Sequence, residues 1–112
     1  MSPITTHVLD LAHGQPASGV AVTLERARPD GSWTTLQTAD TDGNGRTGDL
    51  AYGSAEAGVH RLTFATGKYF AARQIAAFHP SVTVSFEIVD PSQHHHVPLL
   101  IAPYGYSTYR GS

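Results

Sequence analysis

The sequence Val82-Thr83-Val84-Ser85-Phe86-Glu87-Ile88 alternates apolar and polar residues with a period of two. This period is typical of a β-strand with one buried face and one exposed face. The same alternation occurs at Val20-Ala21-Val22-Thr23-Leu24-Glu25, and further strands are predicted at Arg61–Phe64 and Trp33–Leu36. Turns rich in Gly, Asp, Asn and Pro separate these runs. Short alternating strands joined by such turns predict an all-β sandwich of two sheets.

One segment departs from the two-residue period. Lys68–Ala77 contains good helix formers, with apolar residues at 69, 72, 75 and 76, and it ends before Pro80. We therefore predict one short helix over Lys68–Ala77, packed against the edge of the sandwich.

Length and composition narrow the class of protein. A chain of 112 residues predicts a single domain over residues 1–112. The chain has no cysteine, so a thiol nucleophile is excluded. With 14% charged residues and a net charge of −2, it has no basic stripe, so nucleic acid is not an expected partner.

No stretch approaches the roughly 20 apolar residues of a membrane span, and the start, residues 1–7, lacks the features of a secretory signal. A cytoplasmic protein without membrane partners is the expectation.

Two segments carry apolar side chains where a lone domain would expose them. In the first strand, Ile4–Leu11, both alternating faces are partly apolar, and His7 shares the second face with Leu9. The final stretch, Val97–Tyr109, contains no charged residue, and Ala102–Gly105 predicts a turn that folds it into a hairpin. Such surfaces invite aggregation unless they are covered, so we expect an interface between subunits.

The run His94-His95-His96 is a candidate metal site. On a strand, His94 and His96 share a face while His95 points to the other. With His7 as a third ligand, this pair would complete a zinc site that keeps one position open. The plainer interpretation is a polar start to a strand, and no helical His/Glu motif supports the metal.

The other candidate residues have plain structural interpretations when taken alone. His7 could be a half-buried histidine bonded to a neighbour, and Arg46 an exposed arginine in a turn. Tyr109–Ser112 could be a frayed terminus. No Ser-His-Asp pattern, Gly-rich phosphate loop or carboxylate pair is present in the sequence.

Three segments together resemble the 5-hydroxyisourate hydrolases of the transthyretin-like family. They are Thr6–Asp10, Gly45-Arg46 and His96–Ser112. The resemblance covers nearly the whole chain, and its terminal Tyr-Arg-Gly-Ser is highly specific, because it separates the enzymes from the hormone carrier transthyretin, which shares their fold. The resemblance therefore implies a transthyretin-like (prealbumin-like) two-sheet β-sandwich with one short helix.

The resemblance also implies a site, residue by residue. The family's N-terminal strand histidine falls on His7, its turn arginine on Arg46, and the histidine before Val-Pro on His96. These three are the implied catalytic residues. His7 and Arg46 also belong to the implied substrate-binding set, whose remaining members form the tail with its free carboxylate: Tyr109, Arg110, Gly111 and Ser112. His79 and His95 stand where aromatic residues are usual, and neither replaces an implied catalytic residue.

The implied activity is hydrolysis of 5-hydroxyisourate to 2-oxo-4-hydroxy-4-carboxy-5-ureidoimidazoline in urate breakdown, by a homotetramer that is a dimer of dimers. Because the acyl linkage is activated, no covalent nucleophile, cofactor or metal is expected. One of His7 and His96 would activate water while Arg46 stabilises developing negative charge. Two alternatives remain open: a zinc-dependent cyclic amidohydrolase that uses His7, His94 and His96, and a non-catalytic carrier like transthyretin.

Overall fold

The computed structural model describes residues 3–52 and 55–112. Strands account for most of the regular structure in these two ranges, and one short helix, α1, spans Thr66–Ala71. The helix in the described ranges lacks the length and apolar character needed to cross a membrane. The strands are β1 (Ile4–Asp10), β2 (Gln15–Pro16), β3 (Ala21–Ala27), β4 (Trp33–Asp40), β5 (Gly58–Phe64), β6 (Val82–Ile88), β7 (His95–Ala102) and β8 (Gly105–Thr108).

The strands form two four-stranded sheets, in the orders β2-β1-β7-β8 and β4-β3-β5-β6. The pairs are antiparallel except for β1 and β7, which run parallel. The inward side chains of both sheets meet in one apolar core, whose largest members include Phe64, Phe70 and Leu99. This arrangement confirms the predicted two-sheet sandwich, and every predicted strand is present.

Burial alternates along β6 as the sequence predicts. Val82 and Ile88 are buried, Val84 and Phe86 are half-buried, and the intervening polar residues are exposed. The incomplete burial in the middle follows from position, because β6 is the last strand of its sheet. The predicted hairpin is also present, with Ala102 paired to Gly105 across the turn between β7 and β8.

The predicted helix boundaries were wrong. The helix begins at Thr66 and ends at Ala71, instead of spanning Lys68–Ala77. It ends in a Schellman motif, in which the N–H of Ile75 donates to Phe70 O and the N–H of Gln74 donates to Ala71 O.

The residue that ends the helix explains the error. Gln74 has a φ of +59°, the left-handed conformation that a C-terminal glycine usually supplies. The buried face was also misplaced: the helix buries Thr66, Tyr69 and Phe70, whereas position 72 is exposed.

A buried carboxylate ties the helix to the end of β1. Asp10 is 1% exposed, and its Oδ2 accepts hydrogen bonds from the Tyr69 hydroxyl at 2.8 Å and from His13 Nδ1 at 2.6 Å. Burial opposes ionisation of Asp10, but these donors outweigh it and lower the pKa of the carboxyl. Burial and the bond to Asp10 raise the pKa of Tyr69 to about 12. The network therefore contains a carboxylate and a neutral phenol at neutral pH.

Candidate active site

The pairing of β1 with β7 places the two implied catalytic histidines on one surface. Parallel register puts Thr5 beside His96 and His7 beside Pro98. On β1 the alternate residues Ile4 to Asp10 point into the core, so Thr5 and His7 point outward. On β7 the buried His95 points inward and His96 outward. The outer face of this sheet therefore carries both histidines.

His7 is held by a backbone carbonyl of the neighbouring turn. Its Nε2 lies 2.9 Å from the carbonyl oxygen of Asn44. A carbonyl oxygen can only accept, so Nε2 carries the proton in neutral His7 and Nδ1 is left as the lone-pair nitrogen. The hydrogen bond thus fixes both the ring and its tautomer.

Arg46 reaches the site because its loop pairs with β1. An antiparallel bridge joins His7 to Arg46, so the loop extends the sheet beyond β1. Asp42 shapes this loop: its Oδ1 accepts hydrogen bonds from the backbone N–H of Asn44 at 2.8 Å and of Arg46 at 3.0 Å. These bonds lower the pKa of the Asp42 carboxyl. Arg46 is exposed, and because directly paired residues share a face of a sheet, its side chain lies on the outer side with His7.

Close contact between this loop and β1 requires Gly45. The Gly45 carbonyl accepts from Val8 N at 2.7 Å. An added Cβ would lie closer than 3.0 Å to Val8 O, and the φ of +74° also favours glycine. The sequence Gly45-Arg46 is therefore explained by a backbone contact followed by an outward-facing guanidinium.

His96 is half-buried and bonded through its Nδ1. That atom lies 2.8 Å from Thr5 Oγ1, and His94 Nε2 lies 2.6 Å from the same hydroxyl. Burial lowers the pKa of His96 most, and repulsion from Arg46, and from His94 and His7 when they are protonated, lowers it further. His96 is consequently neutral at pH 7, with a lone pair available for a proton.

The C-terminal tail lies against His96. Gly111 N donates to His96 O at 2.8 Å, and an antiparallel bridge joins the two residues. An added Cβ on Gly111 would come closer than 3.0 Å to the His96 ring. Arg110 holds the tail from the other side, with its Nη2 3.1 Å from Gln93 Oε1 and 3.4 Å from His94 O. The tail is thus bound along β7 and contacts the catalytic candidate.

The same pairing explains how Pro98 is accommodated inside the sheet. Its carbonyl accepts the Thr108 hydroxyl at 2.7 Å, so it faces β8. The nitrogen of a strand residue points to the same side as its carbonyl, so the nitrogen of Pro98 also points toward β8 and away from β1. Regular pairing with β8 ends at Thr108. The missing donor of Pro98 therefore costs β1 no ladder bond.

The zinc alternative is not supported by the geometry of the histidines. No group of three or more His, Cys, Asp or Glu residues within 3–52 and 55–112 is arranged to hold a metal ion. Nitrogens of His94 and His96 converge on the Thr5 hydroxyl, while His7 Nε2 is engaged by Asn44 O. Metal-independent chemistry stays a prediction.

A separate cavity of about 220 Å³ opens between β6, β7 and the start of the tail. Val84, Phe86, His96 and Tyr109 are among the residues that line it, whereas His7 and Arg46 are not. The outer face of the sheet, where the polar groups converge, is the better candidate for the chemistry.

The structure groups most of the residues expected from the sequence. His7, Arg46, His96 and Gly111 lie together, whereas Tyr109 is 59% exposed. Residues that the sequence reasoning did not assign also shape the site. They are Thr5, Asp42, Asn44 and Gln93, each recognisable only from its spatial neighbours.

The fold and the site together define a transthyretin-like sandwich that carries a histidine–arginine site on an outer sheet face. The sequence matches the HIUase/Transthyretin family over residues 4–111, and the chain belongs to that family.

Proteins similar to this chain include both hydrolases and a thyroxine-binding protein. A 5-hydroxyisourate hydrolase from Salmonella dublin is 46% identical over 110 residues, which cover 97% of this chain and 80% of the relative. The solved Klebsiella pneumoniae 5-hydroxyisourate hydrolase is 38% identical with a TM-score of 0.89, and the match covers 100% of both chains. Sea bream transthyretin in complex with thyroxine has the same TM-score of 0.89 at 31% identity, covering 97% of this chain and 94% of that one. Because hydrolases and a thyroxine-binding protein share the fold, the site must decide the function.

Proposed function

We propose that this protein hydrolyses 5-hydroxyisourate to 2-oxo-4-hydroxy-4-carboxy-5-ureidoimidazoline. The observation that carries the proposal is the convergence of His7, Arg46, His96 and the tail on one sheet face. Relatives at 38–46% identity over nearly the whole chain bear the name of this hydrolase. Reaction and scaffold agree, because an activated acyl linkage needs water activation and charge stabilisation rather than a covalent nucleophile.

His96 is the better candidate for the general base. Its lowered pKa keeps it neutral at pH 7, and its Nδ1 is committed to Thr5, which leaves Nε2 for a water molecule. Water attacks the ring carbonyl carbon while its proton moves to His96 Nε2. The acyl C–N bond then breaks, giving a carboxylate and a ring-opened nitrogen.

His7 and Arg46 would complete the step. His7 presents Nδ1, because Nε2 donates to Asn44 O, and Nδ1 can move the second proton of the water to the leaving nitrogen. Arg46, on the strand-like segment beside His7, can place its planar fork of donors against the carbonyl oxygen. Its fixed positive charge stabilises the oxyanion of the tetrahedral intermediate.

The tail favours the hydrolase over the carrier alternative. Tyr109–Ser112 includes the residue that pairs with His96, so the segment that distinguishes the enzymes by resemblance contacts the proposed base. We infer that the tail covers one side of the substrate ring.

The proposed assembly is a homotetramer built as a dimer of dimers. Apolar side chains are exposed near the site and on the hairpin, among them Leu11 at 56% and Tyr104 at 75%. β6 and β8 end their sheets, so their backbone groups are free to pair with another copy. Sedimentation should give four copies of the 11.9 kDa chain, and a stable monomer at micromolar concentration would contradict the proposed tetramer.

The expected cytoplasmic location stays a prediction that cell fractionation would test.

The reaction itself is tested by the fate of fresh substrate. Protein added to newly generated 5-hydroxyisourate should accelerate loss of its ultraviolet absorbance, and Arg46→Glu should abolish most of that acceleration. A matched control is Arg28→Glu, because Arg28 lies beside a turn and its Nε donates to the Thr34 hydroxyl at 2.6 Å. Equal effects of the two substitutions would contradict the role of Arg46.

A further inference from the structure

One hydroxyl group lies between two imidazole rings beside the proposed base. Thr5 Oγ1 is 2.6 Å from His94 Nε2 and 2.8 Å from His96 Nδ1. The two rings have centroids 6.0 Å apart and planes inclined at 62°. The register of β1 against β7 creates this arrangement, because Thr5 is paired directly with His96 on the outer face. The three side chains form a continuous hydrogen-bonded chain.

A hydroxyl group has one proton to donate and two lone pairs to accept with. Between two imidazoles it can accept a hydrogen bond from one ring and donate its own proton to the other. If His96 is to receive a proton at Nε2, its Nδ1 must already carry one. In that state His96 Nδ1–H donates to Thr5, and Thr5 donates to the lone pair of His94 Nε2.

We propose that Thr5 is a positioning residue that sets the resting tautomer of His96 and, during turnover, passes its Nδ1 proton to His94. The inference rests on the proposed function. After His96 Nε2 takes a proton from water, the Nδ1 proton moves to Thr5 Oγ1 while the Thr5 proton moves to His94 Nε2. His96 loses one proton, His94 gains one, and the hydroxyl is regenerated. His96 then carries its remaining proton on Nε2, and proton exchange with solvent after product release restores the Nδ1–H tautomer for the next turnover.

The hydrolysis needs a route by which a proton leaves the site. Cleavage of an acyl C–N bond by water leaves a carboxylate and an N–H, so one proton must reach solvent in each turnover at neutral pH. His96 is half-buried and its ring lies against Gly111, so a proton left on Nε2 would stay at the proposed reaction site. His94 is exposed, and its Nδ1 can release a proton to water.

The charges around His96 favour this direction of transfer. Burial and the charge of Arg46 in the loop disfavour a proton that stays on His96, and His94 on β7 or His7 on β1 adds to this when protonated. From the tail, Arg110 contacts the His94 carbonyl rather than the ring that receives the proton. The buried ring therefore tends to lose its added charge toward the exposed one.

Thr5→Val and Thr5→Ser test the role of the hydroxyl. Valine keeps the shape of threonine without the hydroxyl, whereas serine restores it. Thr63→Val is the control, because Thr63 is a strand threonine on the outer face of the other sheet. Nitrogen-15 NMR of histidine-labelled protein should show His96 protonated at Nδ1 in the wild type and Thr5→Ser, and a mixture of tautomers in Thr5→Val.

Kinetics supply the second readout. Thr5→Val should lower kcat by about 5- to 10-fold, the effect of losing one orienting hydrogen bond, with KM nearly unchanged. Thr5→Ser should recover most of the rate, and Thr63→Val should have the wild-type rate. In His94→Asn, turnover should rise with the concentration of added imidazole, because release of the proton then depends on a base in solution. Turnover of the wild type should not depend on added imidazole.

Two results would overturn the inference. One is a His96 that carries its proton on Nε2 in the wild type, and the other is a Thr5→Val variant with wild-type kcat and tautomer. Failure of the wild type to hydrolyse 5-hydroxyisourate would refute the proposed function instead. The NMR comparison would still decide whether Thr5 sets the tautomer.

Discussion

Gly111→Ala is a small change that should disable the site without unfolding the protein. The Cβ of alanine would come closer than 3.0 Å to His96 Cδ2. It would also lie 3.2 Å from His96 Cγ and 3.3 Å from Pro98 Cγ. Pro98 is buried and cannot retreat. The ring of His96 must therefore move, or the tail must lift from β7.

The size of this movement determines how far kcat should fall. Carbon atoms in contact prefer separations of about 3.5–4.0 Å, so relief of this overlap needs a displacement of about 1 Å. A misplacement of about 1 Å in a catalytic constellation can lower the rate about 10²-fold. The same movement lengthens the 2.8 Å contact between His96 Nδ1 and Thr5 Oγ1, which weakens the orienting bond. We therefore expect kcat to fall by about 10²-fold.

Gly105→Ala, in the hairpin that precedes the tail, is the matched control. An added Cβ on Gly105 has no neighbour within 4 Å, so its kcat should be that of the wild type. Both variants are compared by the ultraviolet decay of 5-hydroxyisourate and by thermal melting, and their melting temperatures should agree within a few degrees. A Gly111→Ala protein with wild-type kcat would refute the close packing of the tail on His96.

The remaining predictions concern chemistry and stability. His7→Asn and His96→Asn should each lower kcat by about 10²-fold, measured at saturating substrate, and a wild-type rate in either would remove that residue from the site. Turnover should survive exhaustive chelation, whereas activity that is lost and then restored by zinc would support the amidohydrolase alternative. Tyr69→Phe should lower the free energy of unfolding in urea by about 1.5–3 kcal/mol, because the hydroxyl bonds to the buried Asp10 carboxylate, while kcat stays unchanged. Burial lowers the pKa of His60 from 6.5, so the free energy of unfolding should fall as pH drops below 6.5, and His60→Leu should flatten that dependence.

The fold could be predicted from the sequence because its signal is local. Period-two alternation in residues 82–88 requires only neighbouring residues, and the structure confirms it as β6. The end of the helix could not be predicted, because Gln74 takes a left-handed conformation that glutamine does not signal.

The residues of the site could be predicted less completely from the sequence than the fold. Taken alone, the residues favoured a structural role for His7, and the resemblance to the hydrolases supplied the functional one. Thr5 was missed because its partner His96 is 91 positions away, and a threonine in a strand is ordinary. The parallel pairing of β1 with β7, which makes them neighbours, leaves no local pattern in either strand.

The most direct test compares the full chain with a chain that ends at Thr108. Both are added to freshly generated 5-hydroxyisourate, and the ultraviolet decay is compared with the decay in buffer alone. We expect rapid decay with the full chain and near-buffer decay with the truncated one, although both should melt within a few degrees of each other. If the truncated chain kept near-full activity, the tail would not belong to the site. If the full chain left the decay unchanged, the protein would not be the proposed hydrolase.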